Sequence, residues 1–261
     1  MTARESEPRD RSPLFTPRVA LASLSGEADA AWARAGSDHA GAAFLGGVAI
    51  DEATREGARA LVERDREEFL PADPIGFVAD ELDALADVPI RPGVNVRSTT
   101  PDPVREVAQI CADRGAILEI NAHCRQAEIC AVGGGETLLR ETDRLCEYVA
   151  VAADTGAPVS VKVRTEVPGV DLAQTARRAA DAGADAIHID AMDSEAVVGD
   201  VAEAAPDLFV IANNEVRDRE SVREYLDLGA DAVSLGRPST DPRVRRRVGR
   251  AVDAWFAEPS R

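Results

Sequence analysis

A four-residue pattern recurs four times along the chain, each time between a helical pattern and an apolar run rich in β-branched residues. The copies are "DRGA" (113–116), "DTGA" (154–157), "DAGA" (181–184) and "DLGA" (227–230), followed by "ILEIN", "PVSVKV", "DAIHID" and "DAVSLG". A glycine directly after a helix often adopts the left-handed conformation that ends it. A continuous apolar run is typical of a strand buried on both faces of a parallel sheet. The pattern therefore predicts successive helix–strand units of an α/β protein.

Further apolar runs complete a set of eight predicted strands. In chain order these are Arg18–Leu24, Ala42–Gly47, Gly93–Ser98, Ile117–Asn121, Val159–Arg164, Ala186–Ala191, Phe209–Asn214 and Ala232–Arg237. Eight parallel strands that alternate with helices predict a single-domain (β/α)8 TIM barrel. Two helical patterns between Asp51 and Arg91 predict an elaborated second crossover, and an arginine-rich pattern after the last strand predicts a closing helix. A doubly wound open sheet is the competing architecture, but it gives no comparable reason for eight units.

The chain begins with a charged segment, "MTARESEPRDRSP", that lacks the apolar core of a signal peptide. We expect a disordered leader over residues 1–16 and the barrel over residues 17–261. No apolar run is long enough to span a bilayer, so we expect a cytoplasmic protein without a membrane partner. The four cysteines include no Cys-x-x-Cys pair, and a disulfide framework is not expected.

The charge balance is strongly acidic. The 47 acidic residues against 30 basic ones give a formal net charge of −17, and the only lysine is Lys162. An acidic, lysine-poor composition resembles that of proteins from salt-loving organisms, and an acidic bias in a high-GC genome is the alternative. The net charge disfavours loose binding to polyanions, although salt screens that repulsion.

Polar residues collect at the ends of the predicted strands, which form the catalytic face of such a barrel. The candidates are Ser23, Asn95, Arg97, Asn121, Cys124, Lys162, Arg164, His188, Asp190, Asn213, Asn214, Gly236 and Arg237. Lys162 carries the strongest signal, because an ammonium group without a partner is costly in a buried strand. His188 is weaker alone, since a strand histidine is often a satisfied core residue, but it gains weight by facing the same mouth. The Gly-Arg pair after the last strand suits a phosphate site.

Five segments occur in an order typical of one enzyme family. They are "EINAHC" (119–124), "VGGGETLLR" (132–140), "VSVKVRT" (159–165), "FVIANN" (209–214) and "VSLGRP" (233–238). In this order they resemble the tRNA-dihydrouridine synthases, which belong to the wider group of FMN barrels, over residues 19–237. The resemblance implies an oxidoreductase that binds FMN, takes electrons from NAD(P)H and reduces the C5=C6 bond of a uracil-type ring.

The resemblance also implies roles for individual residues. The implied cofactor-binding residues are Ala22, Ser23 and Leu24 at the flavin ring, Asn95 in place of a flavin-contacting glutamine, Lys162 and His188, and Asn213, Asn214, Gly236 and Arg237 around the phosphate. The implied substrate-binding residues are Asn121, His123, Arg125 and Arg164. Cys124 is the implied proton donor and completes a catalytic set with Lys162 and His188. A thiol suits that role when apolar surroundings keep it protonated.

Three departures from the family pattern leave the substrate open. The family's Gly-Cys-Pro is His123-Cys124-Arg125 here, and Asn214 replaces a glycine. No counterpart is expected for the family's C-terminal helical domain, which helps to grip tRNA. One candidate partner is therefore tRNA, and another is a small molecule whose anionic group is recognised by His123 and Arg125.

Two further alternatives need no flavin. Lys162 would form a Schiff base in an aldolase-like barrel, which requires a lysine of depressed pKa. His123, Cys124 and Cys130 would be metal ligands in a binding protein, although Cys-x5-Cys is not a usual zinc spacing and no fourth ligand is evident.

Overall fold

The computed structural model describes residues 13–258, in which eight strands pair in chain order and close into a barrel. The strands are β1 (Val19–Leu21), β2 (Ala42–Ala49), β3 (Arg91–Arg97), β4 (Ile117–Asn121), β5 (Val159–Arg164), β6 (Ala186–Asp190), β7 (Phe209–Asn213) and β8 (Ala232–Leu235). Every neighbouring pair is parallel, including β1 with β8. The predicted (β/α)8 barrel is therefore confirmed, and the open-sheet alternative is wrong.

Helices connect the strands. They are α1 (Ala30–Gly36), α2 (Glu52–Val62), α3 (Pro74–Asp83), α4 (Pro101–Asp113), α5 (Ala127–Ala131), α6 (Glu136–Arg140), α7 (Thr142–Ala153), α8 (Leu172–Asp181), α9 (Ala196–Ala204), α10 (Arg219–Asp227) and α11 (Pro242–Ala257), with short 3-10 turns at Ser37–His39 and Arg237–Thr240. The elaborated second crossover is confirmed as α2 and α3, and the closing helix as α11. None of the helices within residues 13–258 has both the length and the apolar character needed to cross a bilayer.

Local sequence explains where the helices begin and end. The glycines of the recurring pattern have positive φ angles, as predicted: Gly115 (64°), Gly156 (83°), Gly183 (104°) and Gly229 (93°). Six helices begin after an aspartate whose side chain accepts backbone N–H groups of the first turn: Asp29, Asp51, Asp73, Asp171, Asp218 and Asp241. Each such cap stabilises its helix by about 1 kcal/mol.

The strand bounds differ from the prediction mainly at the mouth of the barrel. The bounds of β4 and β5 agree with the prediction. The first strand ends at Leu21 rather than Leu24, and the last ends at Leu235 rather than Arg237. At both places the chain leaves the ladder early and forms a loop, so residues 22–24 and Gly236 lie on the catalytic face rather than within the barrel wall.

The lower half of the barrel interior is apolar. It is filled by residues at or near the beginning of the strands: Ala20, Ala42, Phe44, Ile117, Ala186, Phe209, Ile211 and Ala232. Phe15 joins this cluster from the chain that precedes β1, and its ring lies edge-on to Phe209 with centroids 5.3 Å apart. Most of the predicted leader, residues 1–12, lies outside the described residues. Phe15, near the end of that segment, is only 4% exposed and packs against the apolar cluster of the lower barrel.

Phe15 should therefore contribute to stability although it precedes the barrel. Replacing it with alanine should lower the free energy of unfolding by about 3 kcal/mol, because the ring leaves a cavity among buried side chains. Urea unfolding would measure the change. Phe256→Ala is the matched control: that ring is 44% exposed, and its loss should cost less than about 1 kcal/mol. Equal losses in the two variants would show that Phe15 is not part of the core.

Candidate active site

The upper half of the barrel interior is polar. Side chains two residues apart on a strand face the same way, so the interior face continues from Ile117 to Glu119 on β4 and from Ala186 to His188 on β6. The buried polar residues of the strands, each at most 3% exposed, are Asn95, Arg97, Glu119, Asn121, Ser160, Lys162, His188 and Ser234. Five of these were predicted as site residues, and the structure brings them together with Glu119, Ser160 and Ser234.

Those three additional residues were missed, although the sequence contained a signal. Glu119 lies two residues before Asn121 on its strand, and Ser160 lies two residues before Lys162. A polar residue two positions from a predicted site residue, inside an apolar strand, faces the same side of the sheet. Ser234 stands in the same relation to Gly236. The period of two therefore identifies all three.

Glu119 is the acceptor at the centre of this polar region. Its Oε1 accepts a hydrogen bond from the Asn95 amide at 2.8 Å. Its Oε2 lies 2.7 Å from His188 Nδ1 and accepts a longer bond of 3.3 Å from the Ser160 hydroxyl. The carboxylate is completely buried, so these partners replace the water that it loses.

Hydrogen bonds extend from this centre to both sides of the mouth. On one side, the Asn121 amide donates to Asn95 Oδ1 at 2.8 Å, and Asn121 Oδ1 accepts the Cys124 backbone N–H at 3.0 Å. The Asn121 amide thus holds the loop that carries Cys124.

On the other side, His188 Nε2 lies 2.7 Å from Ser234 Oγ, which also accepts a bond of 2.6 Å from the Asn213 amide. Both ring nitrogens of His188 are therefore occupied, and the ring is fully buried. His188 therefore lies below the mouth, with both ring nitrogens bonded to other side chains of the barrel.

The charges of the central pair follow from these contacts. Burial disfavours the charged form of Glu119, but His188, Lys162 and the Asn95 amide outweigh it and lower the pKa of the carboxyl. Burial, with the nearby Lys162 cation, also lowers the pKa of His188. At neutral pH Glu119 is therefore ionised and His188 is neutral. The hydrogen-bond pattern then assigns the His188 proton to Nδ1, which donates to Glu119, while Nε2 accepts the Ser234 hydroxyl.

Lys162 lies beside this pair on β5. It is 3% exposed, as predicted, and its ammonium group makes no hydrogen bond or ion pair with other residues of the range 13–258. Burial lowers its pKa, and the negative charges of Glu119 and Asp190 oppose that effect. A buried cation without a hydrogen-bond partner is costly. Such a group is available to a bound ligand.

The loop after β4 carries Cys124, which is 8% exposed and packs against Leu61 and Ile129. Gly135 allows the chain to turn tightly over this cysteine: it has φ of 57°, and a Cβ there would lie 2.2 Å from the Cys124 carbonyl oxygen. Burial, reinforced by Lys162 and other cationic groups, holds the pKa of His123 well below its usual value. His123 Nδ1 is buried without a hydrogen-bond partner among the described residues.

Arg97 connects the loops above the mouth. Its guanidinium pairs with Glu68 at 2.6 Å and contacts Ser25, so it ties the loop after β1 to the second crossover. Both members of the Arg97–Glu68 pair are almost fully buried. Arg97 Nε is buried and has no hydrogen-bond partner within residues 13–258.

The remaining predicted residues lie around the rim. Ala22 is buried and its N–H donates to the Leu235 carbonyl at 2.8 Å, whereas Ser23 and Leu24 are half-buried and Arg125 is exposed. Arg164, also half-buried, pairs with Glu136 at 2.8 Å.

The rim at β7 and β8 is unusually shaped. Asn214 has φ of 116° and its amide donates to the Met192 carbonyl at 2.6 Å. A Cβ built on Gly236 would meet no atom within 4 Å, so there is open space at the end of β8. Arg237 follows it and is exposed. Backbone strain at a non-glycine residue of this kind is commonly found at functional sites.

Comparison with known families decides the identity of the barrel. The family model for dihydrouridine synthase (Dus) matches residues 91–252, which is more than half of the chain. The chain belongs to the dihydrouridine synthase family.

Two individual relatives are similar to this chain. An uncharacterized protein of Methanocaldococcus jannaschii is 27% identical over 232 residues, which cover 84% of this chain and 88% of that protein. A probable tRNA-dihydrouridine synthase of Treponema pallidum is 33% identical over 106 residues, which cover 37% of this chain and 31% of that protein.

Solved structures share the fold. DHODH of Eimeria tenella, in complex with ferulenol, has a TM-score of 0.66 at 16% identity, over 90% of this chain and 80% of that one. A FabK mutant of Thermotoga maritima has a TM-score of 0.56 at 16% identity, over 85% of this chain and 61% of that one. At such low identity these likenesses support the barrel alone.

Membership of the synthase family makes this chain a flavin-dependent oxidoreductase, with FMN as its cofactor. The residues at the mouth fit that group. Lys162 offers a buried cation that makes no hydrogen bond within residues 13–258, and a ring accumulating negative charge requires such a group. Gly236 leaves open space at the end of β8, where barrels often bind phosphate.

A metal site is not supported by the part of the chain that the structure describes. Within it, no group of three or more His, Cys, Asp or Glu side chains is arranged to hold a metal ion. His123, Cys124 and Cys130 therefore do not form the metal site that was considered as an alternative.

The buried neutral His188 makes stability depend on pH. The unfolded chain protonates this histidine near pH 6.5, whereas the folded protein keeps it neutral to lower pH, so its contribution is lost as pH falls below about 6.5. The contribution of His188 to the slope of the unfolding free energy against pH is at most about 1.4 kcal/mol per pH unit. Urea unfolding between neutral and mildly acidic pH should show a steeper slope in the wild type and in His39→Gln than in His188→Gln, where the buried His123 still contributes. The same slope in all three proteins would contradict a neutral His188.

Proposed function

We propose that this member of the synthase family reduces the C5=C6 bond of a uracil-type ring, with FMN as hydride donor and Cys124 as proton donor. The observation that carries the proposal is that the chain's single lysine and the cysteine of the loop after β4 lie at the same end of a flavin-family barrel. Asn121 links them: it is the register partner of Lys162 and holds the Cys124 backbone.

The protein's residues divide the work. Reduced FMN supplies the hydride. Lys162 stabilises the negative charge that develops on the ring system, because a fixed cation in a site that excludes water acts strongly. Cys124 gives the proton from its thiol. Its apolar neighbours Leu61 and Ile129 exclude water from that side of the loop.

The remaining residues position these groups. Asn121 fixes the loop through the Cys124 N–H, and its remaining amide hydrogen is left for a pyrimidine carbonyl. The roles of Asn213, Asn214, Gly236 and Arg237 at the FMN phosphate, and NAD(P)H as the reductant, are parts of the same proposal. Their support is the position of the four residues at the ends of β7 and β8.

A small-molecule substrate in place of tRNA is favoured by a specific observation. Arg97 Nε and His123 Nδ1 are buried at the mouth without partners among the described residues. These two nitrogens suit the carbonyl or carboxylate oxygens of a compact substrate. The formal net charge of −17 opposes a long polyanion. Arg97, rather than the exposed Arg125, is then the arginine that contacts the substrate.

The cofactor is tested first. Protein purified in concentrated KCl should absorb in the near-ultraviolet and the blue and should release FMN on heating. Lys162→Met should weaken FMN binding or slow flavin reduction by about tenfold or more, because a buried charged partner is removed. A colourless protein that also fails to take up FMN would exclude the proposal. Borohydride trapping of a substrate adduct on Lys162 would then test the Schiff-base alternative.

The proton donor is tested by Cys124→Ala. Reoxidation of the reduced flavin by substrate should slow by about 100-fold or more, since general acid catalysis contributes that much. Cys146→Ala, on α7 outside the barrel, is the matched control and should react at the wild-type rate. Substrates to compare are tRNA from a deletion strain, uracil, and uracil carboxylates. Unchanged turnover in Cys124→Ala would remove the assignment, and reaction with the free pyrimidines but not with tRNA would establish the small-molecule function.

A further inference from the structure

Glu119 carries a fully buried charge for which the proposed reaction gives no role. The Glu119–His188 hydrogen bond joins β4 to β6 across the interior face of β5. On β5, Ser160 is the register partner of Glu119 and Lys162 is the register partner of His188. The carboxylate–imidazole pair therefore crosses β5 at the level of Ser160 and Lys162.

Two chains of hydrogen bonds run towards this carboxylate. From one side, the Cys124 N–H donates to Asn121, which donates to Asn95, which donates to Glu119. From the other side, the Asn213 amide donates to the Ser234 hydroxyl oxygen. The Ser234 hydroxyl can donate to His188 Nε2 only if the His188 proton is on Nδ1, where it donates to Glu119. Both chains end at an acceptor that has no proton of its own to give.

The arrangement of Ser234, His188 and Glu119 has the hydrogen-bond order of a nucleophilic triad, but it cannot work as one. Ser234 is 1% exposed, and its oxygen already accepts the Asn213 amide. No substrate carbonyl has access to it. The pair of Glu119 and His188 therefore serves the groups around it rather than a reaction at Ser234.

We propose that Glu119 is a positioning residue for the flavin chemistry: its carboxylate keeps the buried Lys162 ammonium charged and holds His188 in the Nδ1–H tautomer. The consequence for catalysis rests on the proposed function, because a charged Lys162 is what reduced FMN requires. The charge and tautomer are properties of the protein alone, and they are measurable without cofactor.

The substitution Glu119→Gln removes the negative charge of this side chain while keeping nearly the same shape. The glutamine oxygen can keep the bond from Asn95, which places its NH2 group opposite His188 Nδ1. His188 then has to move its proton to Nε2, which can donate to Ser234. The opposite orientation of the glutamine amide, with its NH2 group towards Asn95, is less favourable. It would require the amides of Asn95 and Asn121 to flip, and the Asn121 NH2 group would then face the Cys124 backbone N–H, which is also a donor. The variant should therefore fold with His188 in the other tautomer and without the carboxylate charge.

The single lysine makes the test unusually direct. In apoprotein labelled at the lysine ε-carbon, one side-chain NMR signal reports the charge of Lys162. Glu119→Gln should lower the protonation constant of Lys162 at least tenfold, and ¹⁵N-labelled histidine should show the His188 proton moving from Nδ1 to Nε2.

Controls distinguish Glu119 from the other groups that face Lys162, which are His123, His188 and Asp190. Glu119→Asp keeps the charge and should stay within about threefold of the wild-type constant. Asp190→Asn removes a half-buried carboxylate and should shift Lys162 less than Glu119→Gln does, because water screens it. It should leave the His188 tautomer unchanged.

Each result bears on one proposal. An unchanged Lys162 titration in Glu119→Gln, or an equal shift in Asp190→Asn, would overturn the role of Glu119. If Glu119→Gln does not fold, the wild-type histidine spectrum still decides, since an Nε2–H tautomer of His188 contradicts the assignment. The expected NMR results in a protein that never binds FMN would support the effect of Glu119 on Lys162 and His188 and count against the proposed function alone.

Discussion

A negative charge in the middle of a barrel has to be compensated by the protein, because water does not reach it. Glu119 is compensated by Asn95 on β3, Ser160 on β5, His188 on β6 and the Lys162 cation. These partners come from three strands and meet only when the barrel is closed in this register. A shift of one residue in any of those strands would turn its polar side chains outward. The Glu119 carboxylate thus fixes the strand register in the upper half of the barrel and also supplies the buried negative charge there.

The interior is divided along its axis. The lower half consists of small and aromatic apolar side chains closed by Phe15, and it contributes stability through burial. The upper half contains the buried polar groups, which cost free energy unless every bond is made. This division lets loops and polar residues at the mouth change without loss of the core. It agrees with a fold shared at 16% identity with DHODH and FabK.

Much of this architecture was predictable because it depends on local pattern. The recurring Asp-x-Gly-Ala pattern located four helix–strand junctions, and the use of a single lysine singled out Lys162. The pairing of Glu119 with His188 was not predictable, since it joins residues 69 apart on strands that are not neighbours. It depends on the stagger of the closed barrel, which no local pattern encodes. For the same reason the sequence did not show that His188 lies beneath the mouth with both ring nitrogens bonded.

Contacts made by irregular segments were also beyond the sequence. Glu68, which pairs with Arg97, lies in the irregular loop between α2 and α3. Phe15 stands in a charged segment where nothing in the pattern indicates burial. Both residues are placed by the shape of the finished barrel rather than by their neighbours in the chain.

The aspartate caps have a consequence beyond the helices that they begin. Asp51, Asp171, Asp218 and Asp241 cap helices that follow β2, β5, β7 and β8, so their carboxylates lie at the end of the barrel where the mouth is. The buried Lys162 cation, by contrast, lies in the barrel interior. Because the rim faces solvent and the interior does not, dissolved salt screens the field of the rim carboxylates and leaves the field inside the barrel nearly unchanged. The repulsion that these carboxylates exert on an approaching anion therefore falls as the salt concentration around the protein rises.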